Sequence, residues 1–102
     1  MPNRILKESI CTSESIDRLT LAQEAFLYRL LVQCDDDGCI EDDPAILHAR
    51  CYPLKPNTVT EAHIDSWLDA LEAAYLIIRY IHNEKPYLQI VPGNVAVFQT
   101  ED

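Results

Sequence analysis

One segment constrains the fold more than any other. After Thr60, the apolar residues Ile64, Trp67, Leu68 and Leu71 recur at i, i+3, i+4 and i+7, the signature of an amphipathic helix packed on a core. The spacing predicts a helix over 60–74. Glu61, Asp65, Asp69 and Glu72 are expected together on its opposite face, and no Lys or Arg lies between Asn57 and Leu76. A single apolar stripe must be covered by other elements. The rest of the chain has to supply that cover within 102 residues, the length of one domain with one core.

It does so in a definite order. Thr20 followed by Gln23 reads as a capping box that opens a helix to about residue 34. That helix is apolar almost all round (Leu21, Ala25, Phe26, Leu27, Tyr28, Leu30, Leu31, Val32), as a central helix should be. Gly38 turns the chain into a short strand at Cys39-Ile40-Glu41. Asp43-Pro44 supplies an N-cap and a first-turn proline, predicting a helix over 43–52 that stops before Pro53. After the helix at 60–74, Leu76 to Ile81 and Tyr87 to Val91 are rich in β-branched and aromatic residues. They predict a hairpin over 76–91, with Pro86 at a strand start.

Residues 1–19 read as an ordered N-terminal arm with a helical turn near Ser13–Arg18. Residues 92–102 read as a C-terminal tail, broken by Pro92-Gly93-Asn94, in which Val95 to Phe98 adds a last strand or packs. The whole chain, 1–102, is therefore expected to be a single domain of the α+β class, mainly helical. Helix, short strand, helix, helix, hairpin is the order of a winged helix-turn-helix, three helices plus a C-terminal β-hairpin wing. Trp67 and Leu71 are expected buried against Phe26 and Leu30.

Charge and composition exclude several functions. Seventeen acids against 8 bases give a net charge of −9, which opposes nonspecific binding to nucleic acid and to anionic membranes. No apolar run approaches the roughly 18–20 residues that span a bilayer, so no membrane partner is expected. Met1 to Lys7 has no secretion-signal core, which predicts a cytoplasmic location and reduced thiols at Cys11, Cys34, Cys39 and Cys51. No pair has C-x-x-C spacing, and Cys34, Cys39 and His48 match no zinc template. With Gly38 at the sixth place of an EF-hand loop, the first and twelfth places would hold Gln33 and Pro44, which do not suit Ca²⁺. No phosphate loop or nucleophile elbow is present, and nothing ties His48, His63 or His82 to a nucleophile. Neither a metal, a cofactor nor catalysis is expected.

The opening Arg4-Ile5-Leu6-Lys7-Glu8-Ser9-Ile10-Cys11-Thr12-Ser13 resembles the start of the N-terminal domain of phage replisome organisers, which are similar to DnaD-like replication initiation proteins of Gram-positive bacteria and their prophages. The likeness continues in Tyr28-Arg29-Leu30, in Cys34-Asp35-Asp36 followed by Gly38, and in Pro44-Ala45-Ile46-Leu47. It resumes in Pro53-Leu54 and in Lys85-Pro86-Tyr87-Leu88-Gln89. Where that pattern carries basic residues after the glycine and before the proline, this chain has Cys39 and Asp43. The resemblance implies a winged helix that acts in loading replication machinery.

Two kinds of partner follow. For duplex DNA, Arg50, Lys55 and Lys85 are candidate phosphate contacts, and Thr60, His63 and Ser66 are candidate base readers. The alternative is a protein-interaction or self-association surface with no DNA contact. Glu61, Asp65, Asp69 and Glu72 would then face a basic replication protein or another copy's Arg4/Lys7 arm.

Overall fold

In a computed structural model, residues 4–91 and 97–99 are described. Strand β1 (Arg4–Leu6) and a 3₁₀ turn (Glu8–Thr12) lead into a one-turn helix α1 (Glu14–Asp17) capped by Ser13. There follow α2 (Leu21–Gln33), β2 (Cys39–Glu41), α3 (Pro44–Cys51), α4 (Glu61–Ala73), β3 (Ile77–His82), β4 (Lys85–Ile90) and β5 (Val97–Gln99). The architecture is α+β, with four helices and a three-stranded antiparallel sheet in the order β2-β4-β3. Among the described residues, no helix is long and apolar enough to cross a membrane.

Local chemistry sets the helix boundaries. Thr20 accepts from the Gln23 amide while the Gln23 side chain accepts from the Thr20 amide, so α2 begins with both orphan donors satisfied. Asp43 Oδ1 accepts from the amides of Ala45 and Ile46 at the start of α3. Helix α4 ends with the Leu76 amide on the Leu71 carbonyl and the Tyr75 amide on the Glu72 carbonyl, a Schellman turn with Tyr75 at φ 60°.

The three long helices and the sheet share one core. Phe26, Leu27 and Leu30 from α2, Leu47 from α3, Ile64, Leu68 and Leu71 from α4, and Leu76 and Leu88 at the sheet are all fully buried. Each such side chain contributes about 1.5–3 kcal/mol. The expected burial of Trp67 needs correction: it is only half-buried. On α4, at ~100° per residue, Ile64, Leu68 and Leu71 cluster within about 60° and Trp67 lies at the edge of that arc. Its ring sits 5.7 Å from Phe26 and 5.9 Å from Tyr52, and His63 stacks on it at 5.5 Å.

The two ends of the described chain meet. β1 pairs antiparallel with β5, Arg4 opposite Gln99 and Leu6 opposite Val97. The N-terminal arm thus begins as a strand, and the last apolar segment adds one. The predicted break at Pro92-Gly93-Asn94 lies outside the described residues.

Candidate functional site

The candidate residues fall on three neighbouring features: α4, the turn before it, and the β3–β4 hairpin. The turn is held by the His48 Nε2–H bonded to the Val59 carbonyl, and by the Val59 amide on the Lys55 carbonyl. Thr60 Oγ1 accepts from the His63 amide at 3.2 Å, and the Thr60 amide donates to His63 Nδ1 at 3.1 Å. Histidine here takes the place of Glu or Gln in a capping box. Thr60 and His63 are therefore brought together, but their polar atoms are engaged at the helix start. Ser66 is exposed on the outward side of α4, and Lys55 is exposed in the turn. Lys85 stands at the hairpin tip, opposite His82 in register.

Arg50 is placed differently. Its guanidinium donates to the Gln33 side chain at 3.2 Å and to the Gln33 carbonyl at 3.1 Å, at the carboxyl end of α2. Arg29 of α2 does the reverse, donating at 2.8 Å to the carbonyl of Cys51 at the end of α3, with its guanidinium over the Tyr52 ring. Two arginines thus cap each other's helices, where carbonyl dipoles favour a cation. Arg50 also borders an open cleft of about 330 Å³ with Asp35, Glu41 and Tyr87.

The carboxylates of α4 do not lie opposite its apolar stripe. Helical geometry places Glu61, Asp65, Asp69 and Glu72 within an arc of roughly 80° beside that stripe. Asp69 identifies the side: its Oδ1 accepts from Arg79 Nη1 of β3 at 2.8 Å. The arc is therefore on the hairpin side of the helix. Arg79 also binds Asp42 through Nε at 2.7 Å and Nη2 at 3.3 Å, and the Asp42 side chain is 8% exposed. Those carboxylate bonds, Asp42's first, hold the Arg79 guanidinium above its ordinary pKa. Sequence reasoning missed this pin. A signal existed: Arg79 alternates with Ile77 and Ile81 on one face of a strand, and an inward arginine requires a carboxylate partner.

All four cysteines are free thiols, Cys34 and Cys51 buried. Asp35 Oδ1 accepts from the amides of Asp37 and Cys39, so the acidic turn is closed by its own carboxylate. Among the described residues, no group of three or more His, Cys, Asp or Glu is arranged to hold a metal ion. Against this geometry, comparison with protein-family models, with curated proteins and with solved structures finds no match. The functional reading rests on the residues themselves.

Proposed function

We propose that the chain is a winged-helix domain that acts as an accessory in the initiation of DNA replication, of the kind phage and prophage replisome organisers carry. The observation that supports this reading is the order α2-β2-α3-α4-β3-β4 combined with the strand order β2-β4-β3. In a helix-turn-helix followed by a hairpin, the second helix of the pair enters the major groove and the hairpin flanks it. Here α4 would be that helix and β3–β4 the wing.

Contact with duplex DNA is weak and rests on phosphates. Lys55, in the turn before α4, and Lys85, at the tip of the hairpin, are exposed cations. Arg50 contributes less, because Gln33 already holds its guanidinium. The test is a duplex titration of the native chain at two salt concentrations, repeated with Lys55→Ala and Lys85→Ala. Each substitution should reduce the salt slope by about one and weaken all sequences alike. No binding at low salt, or binding indifferent to both changes, would overturn this mode of contact.

One observation favours a second reading, a protein-interaction module. Glu61, Asp65, Asp69 and Glu72 are all exposed, and among the described residues only Asp69 of the four is in an ion pair. A face of that charge repels a phosphate backbone and attracts a basic protein surface. Neutralising Asp65 and Glu72 then abolishes capture of the basic partner.

A further inference from the structure

We propose that the notch between α4 and the β3–β4 hairpin receives a basic amphipathic helix of a partner protein. This rests on the protein-interaction reading and gives its partner a chemistry. On β3, Ile77, Arg79 and Ile81 share one face by strand alternation. Ile77 is buried and Arg79 bonds Asp69, so this is the face toward α4. Ile81, one step further along the same face, is 76% exposed. Pro86 lies opposite Ile81 in register and is exposed as well. Beyond Arg79, the hairpin thus turns an uncovered apolar surface toward the helix.

The facing wall is anionic. The chain reverses at Tyr75, and Arg79 meets Asp69. From that bridge, Ile81 lies two residues, about 6 Å, further along β3, and Asp65 lies one turn, about 6 Å, back along α4. Asp65 and Glu72 share the carboxylate arc with Asp69, and Glu84 adds a charge at the hairpin turn. An exposed apolar surface and a carboxylate arc meeting at one bridge fit a helix with Leu-type residues on one stripe and Lys or Arg beside it. Duplex DNA offers no apolar stripe for Ile81 and Pro86, and its phosphates are repelled by the arc. An acidic peptide is repelled likewise. Arg79 is held by Asp42 and Asp69, so it leaves the notch's charge anionic.

The experiment titrates the nitrogen-labelled full chain with a synthetic Leu/Lys amphipathic helical peptide of about 18 residues, some 27 Å long, at about 0.15 M salt. A second titration uses the same composition in scrambled order. The amphipathic peptide should shift the amides of Ile81, His82 and Lys85 together with those of Asp65, Ser66 and Asp69. Ile81→Ser, at an exposed position, should weaken it about tenfold, as should Asp65→Asn with Glu72→Gln, and the scrambled peptide should bind about tenfold more weakly. Equal binding of the two peptides, or no effect of Ile81→Ser, overturns the notch while the acidic-face reading stands. Unchanged binding after neutralising Asp65 and Glu72 overturns both. A DNA duplex that shifts the same amides and displaces the peptide assigns the notch to DNA and overturns the proposal.

Discussion

At the scale of single residues, three cations are occupied within the fold. Arg29 and Arg50 cap the ends of α3 and α2, and Arg79 joins the sheet to α4 and to the residue after β2. The two carboxylates on Arg79 differ in burial, so they should differ in worth. Asp42 is nearly enclosed, and its removal leaves a half-buried guanidinium short of its main partner; Asp42→Ala should cost about 2–3 kcal/mol. The Asp69 side chain is 70% exposed, so Asp69→Ala should cost less than about 1 kcal/mol. Urea unfolding of both variants decides it, and equal costs would mean the pin is not where the stability lies. Burial also pushes the Cys51 thiol from its ordinary 9.0 up to about 11, against the pull of Arg50 and Arg29. A raised folded pKa means that the folded state holds the proton more tightly. The associated stability is full below about pH 9 and is lost as pH rises toward 11. Desolvation and the Glu24 bond raise Tyr28 to about 12, which extends the loss upward. The urea midpoint should therefore fall steadily above pH 9, and Cys51→Ala should flatten the first part of that fall.

At the scale of elements, the helices and the hairpin were legible because their signals are local. Thr20 with Gln23, Asp43 with Pro44, and the stripe from Ile64 to Leu71 each lie within one or two turns, and α2, α3 and α4 lie within a residue of the expected bounds. The β1–β5 pair was not legible, because two strands of three residues at opposite ends of the chain carry no alternation to read. The side of the carboxylate arc was not legible either, since only Arg79 reveals which way it faces. Two turns bear a local cost. Tyr75 holds φ 60° at the end of α4, and Asn83 and Glu84 hold φ 50° and 67° in the two-residue hairpin turn. Asparagine suits that conformation, whereas tyrosine and glutamate carry a Cβ penalty there. Tyr75 is 71% exposed, so removing its ring uncovers little. Tyr75→Gly and Glu84→Gly should each stabilise the fold by about 0.5–1 kcal/mol. The two gains should add, because the turns sit at opposite ends of β3. A drop in thermal midpoint for either variant would show that its side chain makes contacts outweighing the backbone strain.

At the scale of the whole molecule, the net charge of −9 understates how acidic the α4 side is. Arg29, Arg50 and Arg79 are held by carbonyls or carboxylates, while Lys55 before α4, Lys85 at the hairpin tip and Arg18 beside Ala70 and Ala73 are exposed cations. Any duplex approaching α4 meets the carboxylate arc before it gains both lysines. Screening weakens the conflict without removing it, because a phosphate in contact with α4 lies closer to the arc than the Debye length at physiological salt, ~8 Å. Neutralising the arc should therefore matter more to DNA than removing either lysine. Asp65→Asn with Glu72→Gln changes two exposed side chains and leaves the Asp69–Arg79 bridge intact. The fold should be unharmed, and relief of like charge at i, i+4 between Glu61 and Asp65 should stabilise α4 by a few tenths of a kcal/mol. Duplex affinity, measured by fluorescence anisotropy at low salt, should rise about tenfold, and the gain should shrink as salt is added. A fall in affinity would show that Asp65 or Glu72 accepts from a base edge, as a carboxylate does from cytosine. In that case α4 would read the groove despite its charge, and the arc would be part of the DNA contact.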